Sequence, residues 1–161
     1  GQRLDGLGIL DLASKHPGPN VPRCIGNLAF QLADAAMAAE VAAIASCEEA
    51  PAIIGFENHG GRTYLDKAAP LGRVLVGYGN NGEDQTEGAL LGHALATYAH
   101  GPLLPKNPFL ADWLIVKAIE MRSGRRIELT PLDDRWAWEA RRVMLQRFGL
   151  PPETAPTAVA A

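Results

Sequence analysis

Cysteine is scarce in this sequence: of 161 residues only Cys24 and Cys47 carry a thiol, and they sit in unrelated contexts. A disulfide framework of the kind that staples small secreted domains is excluded, and a reducing compartment is the expectation. Neither cysteine has a second cysteine or a histidine at metal-ligand spacing, so no metal site and no cofactor are expected. No run of about 18 apolar residues occurs, and no basic, then apolar leader opens at Gly1. Membrane insertion is therefore not expected, and the chain reads as cytoplasmic. An excess of positive charge is missing too. The 15 Lys and Arg against 18 Asp and Glu leave a net charge of −3, which offers phosphate backbones no general attraction, so nucleic acid is not an expected partner. The glycines between Gly77 and Gly82 do not make a phosphate or dinucleotide loop, because no helix start follows them.

What is present suits one soluble domain, with 47% hydrophobic and 20% charged residues. A chain of this length buries about two-thirds of its unfolded surface and holds a real core without a staple. Leu7 to Leu12 reads as a strand, and Pro17, Gly18, Pro19 and Pro22 break Ser14 to Pro22 into a loop. A second strand is predicted over Cys24 to Phe30. Gln31 to Ser46 is alanine-dense and free of glycine and proline, which predicts a helix. Its stripe would be Leu32, Ala36, Ala39 and Ala43, or else the segment is a poorly packed insertion.

Pro51 to Phe56 reads as a short strand that runs into Glu57-Asn58-His59-Gly60-Gly61-Arg62-Thr63, where acid, amide, imidazole, guanidinium and hydroxyl crowd around two glycines. Leu71 to Tyr78 is a further strand, and Gly79-Asn80-Asn81-Gly82 marks a turn before Glu87 to Leu91. Asn107 is placed as an N-cap with Pro108 at the first helical position. The helix Pro108 to Ser123 is apolar nearly all round and is expected to be largely buried, with Gly124 as its stop. Asp133-Asp134 opens a last helix whose Trp136, Ala140, Val143 and Met144 share a face. Gly149, Pro151 and Pro152 end it. The domain is expected over residues 1–149 and a flexible tail over 150–161.

The segment Leu91 to Leu104 draws attention to one histidine. Ala94 to Tyr98 reads as a strand that delivers His100 to a turn closed by Gly101 and Pro102, a firm platform for an imidazole facing a cleft. On position alone His100 is either structural or catalytic. His59 is likewise either a ligand or substrate group or a turn histidine bonded locally, while His16 and His93 read as solvated.

Several blocks in order, DGLGILDL, PRCIGNL, GFENHGGRT, PLGRVLVGYGNNGEDQTEGA and TYAHGPLLPKNPFLADWLI, resemble the class I glutamine amidotransferases of the cobyric-acid-synthase-like (CobB/CobQ) type. Within that family the wording is most similar to the glutaminase subunits of lipid II isoglutaminyl synthases. The resemblance runs from about Gly1 to about Asp134. It implies an α/β fold, part of a class I amidotransferase, with a mixed, mostly parallel sheet and flanking helices. It implies glutamine as substrate, hydrolysed to glutamate and ammonia, with His100 as the catalytic base. It places Arg23 on the bound glutamine and His59 along the same cleft. The ammonia would pass to a Mur-ligase-like subunit of the MurT type, which amidates D-glutamate in lipid II during peptidoglycan synthesis. Two other readings stand beside this one: a non-catalytic scaffold that binds such a ligase, and an amidotransferase domain of cobyrinic or cobyric acid synthesis.

The sequence departs from the family in one decisive place, and in smaller ways at the long Gln31 to Ala50 stretch, at Ala99, and at Pro102, where other class I enzymes carry an acidic residue two positions after the histidine. The nucleophile of such enzymes sits in a glycine-flanked elbow, G-x-C-G-G, and no such elbow occurs here. Cys24 lies inside a predicted strand, where cysteine behaves as a small apolar residue. Cys47 precedes Glu48 and Glu49, whose charge is expected to raise its thiol pKa. The chain is thus expected to be the C-terminal portion of a glutaminase without its nucleophile half, inactive by itself, and to expose a sheet face or edge.

Overall fold

In the computed structural model, which describes residues 4–153, the chain runs through twelve elements. They are β1 (Leu12–Lys15), β2 (Cys24–Leu32), α1 (Ala35–Ala45), β3 (Ile53–His59), β4 (Arg62–Leu65), β5 (Gly72–Val76), β6 (Thr86–Glu87), β7 (Ala89–Leu91), β8 (Ala94–Ala96), α2 (Leu103–Lys106), α3 (Pro108–Ser123) and α4 (Arg135–Arg147). The central sheet has the order β3-β2-β5-β6, and β1-β4 and β7-β8 form two small ribbons. The mixed α/β class is as expected. The mostly parallel sheet is not: every pairing among the described strands is antiparallel. Parallel neighbours need a crossover of a dozen or more residues. Only the connection over residues 33–52 is that long, and it brings β3 back antiparallel to β2.

One face of the sheet makes the main core. Leu28, Phe30 and Leu32 of β2 and Ile53 of β3 pack with Met37, Val41, Ala42 and Ala45 of α1, Phe109, Leu110 and Trp113 of α3, and Trp138 of α4. Each such large side chain contributes about 1.5–3 kcal/mol by leaving water. The buried stripe of α1 is therefore Met37, Val41 and Ala45, while the expected Ala36, Ala39 and Ala43 are exposed. The difference arises because β2 continues through Leu32, and the helix begins only after Asp34, whose Oδ1 accepts the Met37 N–H at 2.7 Å. Nor is α1 a loose insertion. Glu40 accepts hydrogen bonds from Trp113 Nε1 at 2.9 Å and Lys117 Nζ at 2.7 Å, tying α1 to α3.

Three further expectations are corrected. The first strand starts at Leu12 rather than Leu7, since pairing with β4 begins there and Leu7 and Ile9 stand in solvent. α3 buries one face only: Ile115 and Ile119 are exposed because no described element covers them. α4 is rotated from its expected orientation, with Trp136 74% exposed and Trp138, Arg141 and Leu145 inward. The reason is that α4 straddles the open edge of β3. Trp138 joins the main core, Leu145 packs with Ala29 and Ile54 in a second cluster, and Arg141 between them bonds the Ala52 carbonyl at the strand edge. Of the segment expected as a tail, Leu150 packs against that second cluster and Glu153 pairs with Arg141. Residues 1–3 and 154–161 lie outside the described residues.

Candidate active site

Strand β3 separates two layers of chemistry because alternate side chains of a strand point to opposite faces. Ile54, Phe56 and Asn58 share one face with their β2 partners Ala29, Asn27 and Ile25. Ile53, Gly55, Glu57 and His59 share the other. The Ile54 and Ala29 end of the first face is covered by α4, and the other end is open, with Ile25, Asn27, Phe56 and Asn58 exposed.

His100 belongs to that open end. The β8 strand ends at Ala96, two residues earlier than predicted, and the extended chain beyond it reaches the free edge of β3. There the His100 N–H donates to the Phe56 carbonyl at 2.6 Å, in an isolated antiparallel bridge that sets His100 directly opposite Phe56. Opposed residues of an antiparallel pair lie on the same face. Gly55 permits the approach, since a Cβ there would stand 3.0 Å from Ala99 Cβ. His100 is exposed, and among the described residues no side chain bonds its imidazole.

Arg23 stands on the same face. Its Nε and Nη2 donate to Asn58 Oδ1 at 3.1 and 2.9 Å, and Nη2 also donates to the Asn58 carbonyl at 3.1 Å. Asn58 is two residues from Phe56, so the strand rise sets the Arg23–Asn58 pair about 7 Å along β3 from the His100 bridge. The guanidinium is held at one side and exposed on the other, which leaves donors for a carboxylate.

His59 lies beneath. It is buried, stacks on Tyr98 with ring centroids 3.7 Å apart, donates from Nδ1 to the Gly61 carbonyl at 2.9 Å, and sets Nε2 3.2 Å from Glu57 Oε2. Both ring nitrogens are engaged inside the protein, on the face of β3 opposite Phe56. The structure thus brings Arg23 and His100 together and puts His59 under them. Glu57, fully buried, accepts the backbone N–H groups of Tyr78 and Gly79 at 2.6 and 3.1 Å, so the Gly77 to Gly82 turn is wrapped around a carboxylate of the preceding block. Gly77 has φ 103°, and a Cβ there would collide with Glu57 Oε1.

Neither cysteine is poised as a nucleophile. Cys24 is 1% exposed and opposite His59 in the register, and burial pushes its thiol pKa up, with Arg62 pulling down and Glu57 pushing further up. The Cys47 thiol is also pushed up, first by burial and then by the charge of Glu153, with Arg141 opposing. The direction is the one expected from the sequence, but Glu153 and not Glu48 or Glu49 is the acid responsible. Its Sγ donates to the Ala45 carbonyl at 3.3 Å.

A second buried acid was not signalled by any motif. Glu87 is fully buried; its Oε1 accepts from Thr97 Oγ1 at 2.6 Å and the Tyr98 N–H at 2.7 Å, and its Oε2 has no partner among the described residues. Burial pushes this carboxyl up, the two hydrogen bonds pull against it, and the charge of Glu57 adds to the rise. A carboxyl raised in the folded state weakens folding above that pKa, and the penalty fades as pH falls toward the unfolded value of about 4.3. Glu87→Gln is therefore expected to stabilise the chain at pH 8, with the gain shrinking as pH is lowered and gone near pH 4. Urea unfolding of both proteins across that range checks it; a pH-independent difference would refute the assignment.

An exposed histidine thus stands opposite a strand-edge carbonyl, about 7 Å along β3 from an arginine with donors to spare, and neither cysteine is an activated thiol. Residues 1–108 match the CobB/CobQ-like glutamine amidotransferase domain, and the chain belongs to that family. It is similar to the protein named lipid II isoglutaminyl synthase (glutamine-hydrolyzing) subunit GatD of Staphylococcus aureus (strain N315), 38% identical over 147 residues, 91% of this chain and 52% of that protein. It is 34% identical to the protein of the same name from Streptococcus pneumoniae (strain ATCC BAA-255 / R6) over 135 residues, 83% of this chain and 46% of that one. The chain spans about half the length of these curated relatives.

Proposed function

We propose that this chain supplies the histidine-bearing part of a glutaminase, over residues 1–149, that hydrolyses glutamine to glutamate and ammonia. The observation that carries the reading is His100: an imidazole with no side-chain partner among the described residues, fixed by its backbone to the β3 edge and about 7 Å along the strand from Arg23. In the mechanism, a cysteine thiol loses its proton to His100, and the thiolate attacks the side-chain carbonyl carbon of glutamine. The tetrahedral intermediate collapses as His100 returns the proton to the departing nitrogen, releasing ammonia and leaving a thioester. Water, deprotonated by the same imidazole, then cleaves the thioester to glutamate and free thiol. Arg23 would hold the α-carboxylate of the glutamine through its exposed N–H groups. His59 acts from below, through Glu57, on the Gly77 to Gly82 turn.

The thiol would come from outside these 161 residues: Cys24 is enclosed, and Cys47 packs against the main core. The open end of the sheet face, with Ile25 and Phe56 exposed around Arg23 and His100, is where the segment bearing it would pack. The names of the relatives favour the cell-wall branch over corrinoid synthesis. The ammonia would accordingly go to a Mur-ligase-like subunit that amidates D-glutamate of lipid II, in the cytoplasm. No helix among the described residues is long and apolar enough to cross a membrane. The test is ammonia release from glutamine. The 161-residue chain alone is expected to give none, unchanged by Cys24→Ser or Cys47→Ser, whereas the same chain joined to a G-x-C-G-G segment of the family is expected to turn over. Activity of the chain alone that Cys24→Ser abolishes would overturn this reading.

A further inference from the structure

Asn107, read from the sequence as a helix cap, does something else. Its side chain makes no capping bond to α3, although it occupies the N-cap position. It is fully buried, and all its hydrogen-bonding capacity is spent elsewhere. Nδ2 donates to the Ile54 carbonyl at 2.8 Å and to the Leu103 carbonyl at 2.7 Å; Oδ1 accepts the Ile54 N–H at 2.9 Å and Arg141 Nη1 at 2.7 Å. The amide thus pairs with both backbone groups of Ile54, as a neighbouring strand residue would.

The location gives this consequence. Ile54 and Phe56 are successive outward-bonding positions on one strand edge, about 7 Å apart. The His100 backbone fills the Phe56 position and the Asn107 side chain fills the Ile54 position, so the segment between them is fastened to β3 at both ends. The bond to Leu103 ties its middle to the same amide. Because no side chain among the described residues holds the imidazole, the path of this segment decides where the ring stands.

We propose that Asn107 is a positioning residue for His100, which sets the general base against the cleft by substituting for a missing strand at Ile54. This rests on the glutaminase reading for its catalytic consequence, but its structural content stands apart from that reading. Arg141 supports the amide from behind and holds Oδ1 in its acceptor orientation.

The substitution Asn107→Asp keeps size and both acceptor contacts and removes the two donors. In a longer glutaminase containing this chain and a nucleophilic cysteine, it is expected to lower kcat for glutamine at least tenfold while KM stays within twofold. A purely structural role would lower the melting temperature and leave kcat of the folded fraction unchanged, and that result would overturn the proposal. A second measurement needs no variant. In the unaltered chain the backbone amides of Ile54 and His100 are expected to exchange with deuterium within about fivefold of one another, since one fastening opens with the other. Exchange at His100 a hundredfold faster than at Ile54 would also overturn it. If His100→Ala leaves turnover intact while those two amides still open together, the glutaminase reading fails and the fastening survives, so the two failures are distinguishable.

Discussion

In a longer glutaminase that carries this chain and a nucleophilic cysteine, His100→Ala is expected to lower kcat for glutamine by 10²–10⁴-fold or more while the protein melts where the parent does. The magnitude is that of losing a positioned general acid and base, and here one imidazole serves both steps, proton removal from the thiol and proton delivery to ammonia. The unchanged stability follows from the geometry. The imidazole is exposed and makes no side-chain bond among the described residues, and the fastening to Phe56 uses the backbone N–H, which alanine retains. Surface substitutions of this kind stay within about 0.5 kcal/mol. Ammonia release and a thermal melt measured on the same preparation check both halves. Retained turnover would remove His100 from the mechanism, and a large fall in melting temperature would show that its ring carries structural contacts.

The contrast with His59 shows what could be read from sequence and what could not. Both histidines follow predicted strands and both precede glycine, so position alone gave them equal standing. Their register separates them: one pairs across the edge of β3 onto the open face, the other alternates to the buried face and stacks on Tyr98. Register is a tertiary property, and a shift by one residue would exchange the two. Helices and strands of pronounced composition, such as the alanine-rich segment and the Pro108 start, were legible because propensity and turn chemistry are local. Which face each helix buries was not, because α1 and α4 are oriented by polar contacts: Glu40 to Trp113 and Lys117, and Arg141 to the β3 edge. A hydrophobic stripe is a poor guide when the residue at its centre is an arginine. The antiparallel sheet was missed for a related reason, since the resemblance describes a whole family domain whereas the pairings here are set by short connections.

The same arginine gives the largest expected effect on stability. Arg141 is 2% exposed and buried in the seam between α4 and β3, where its Nε and Nη2 donate to Glu153 Oε2 at 2.9 and 2.6 Å. Glu153 uses its other oxygen to accept the Ala52 N–H at 2.7 Å, and Arg141 bonds the Ala52 carbonyl, so the pair closes both backbone groups of Ala52. Burial pulls the guanidinium below its ordinary pKa and Glu153 pulls it back. Removing one partner of a buried ion pair leaves a charge without compensation, at a cost of about 3–5 kcal/mol. Glu153→Gln is expected at the lower end of that range, because Asn107 Oδ1 and the Lys106 carbonyl still accept from Arg141. Against a typical total of about 5–15 kcal/mol, such a loss would shift a large fraction of the fold's margin. Urea unfolding with an unchanged m-value measures it. A double-mutant cycle with Arg141→Met isolates the pair, and a coupling energy near zero would mean that Glu153 contributes only its bond to Ala52. A coupling above about 2 kcal/mol would show instead that a residue just past the Pro151–Pro152 stop closes the strand edge from which His100 is presented.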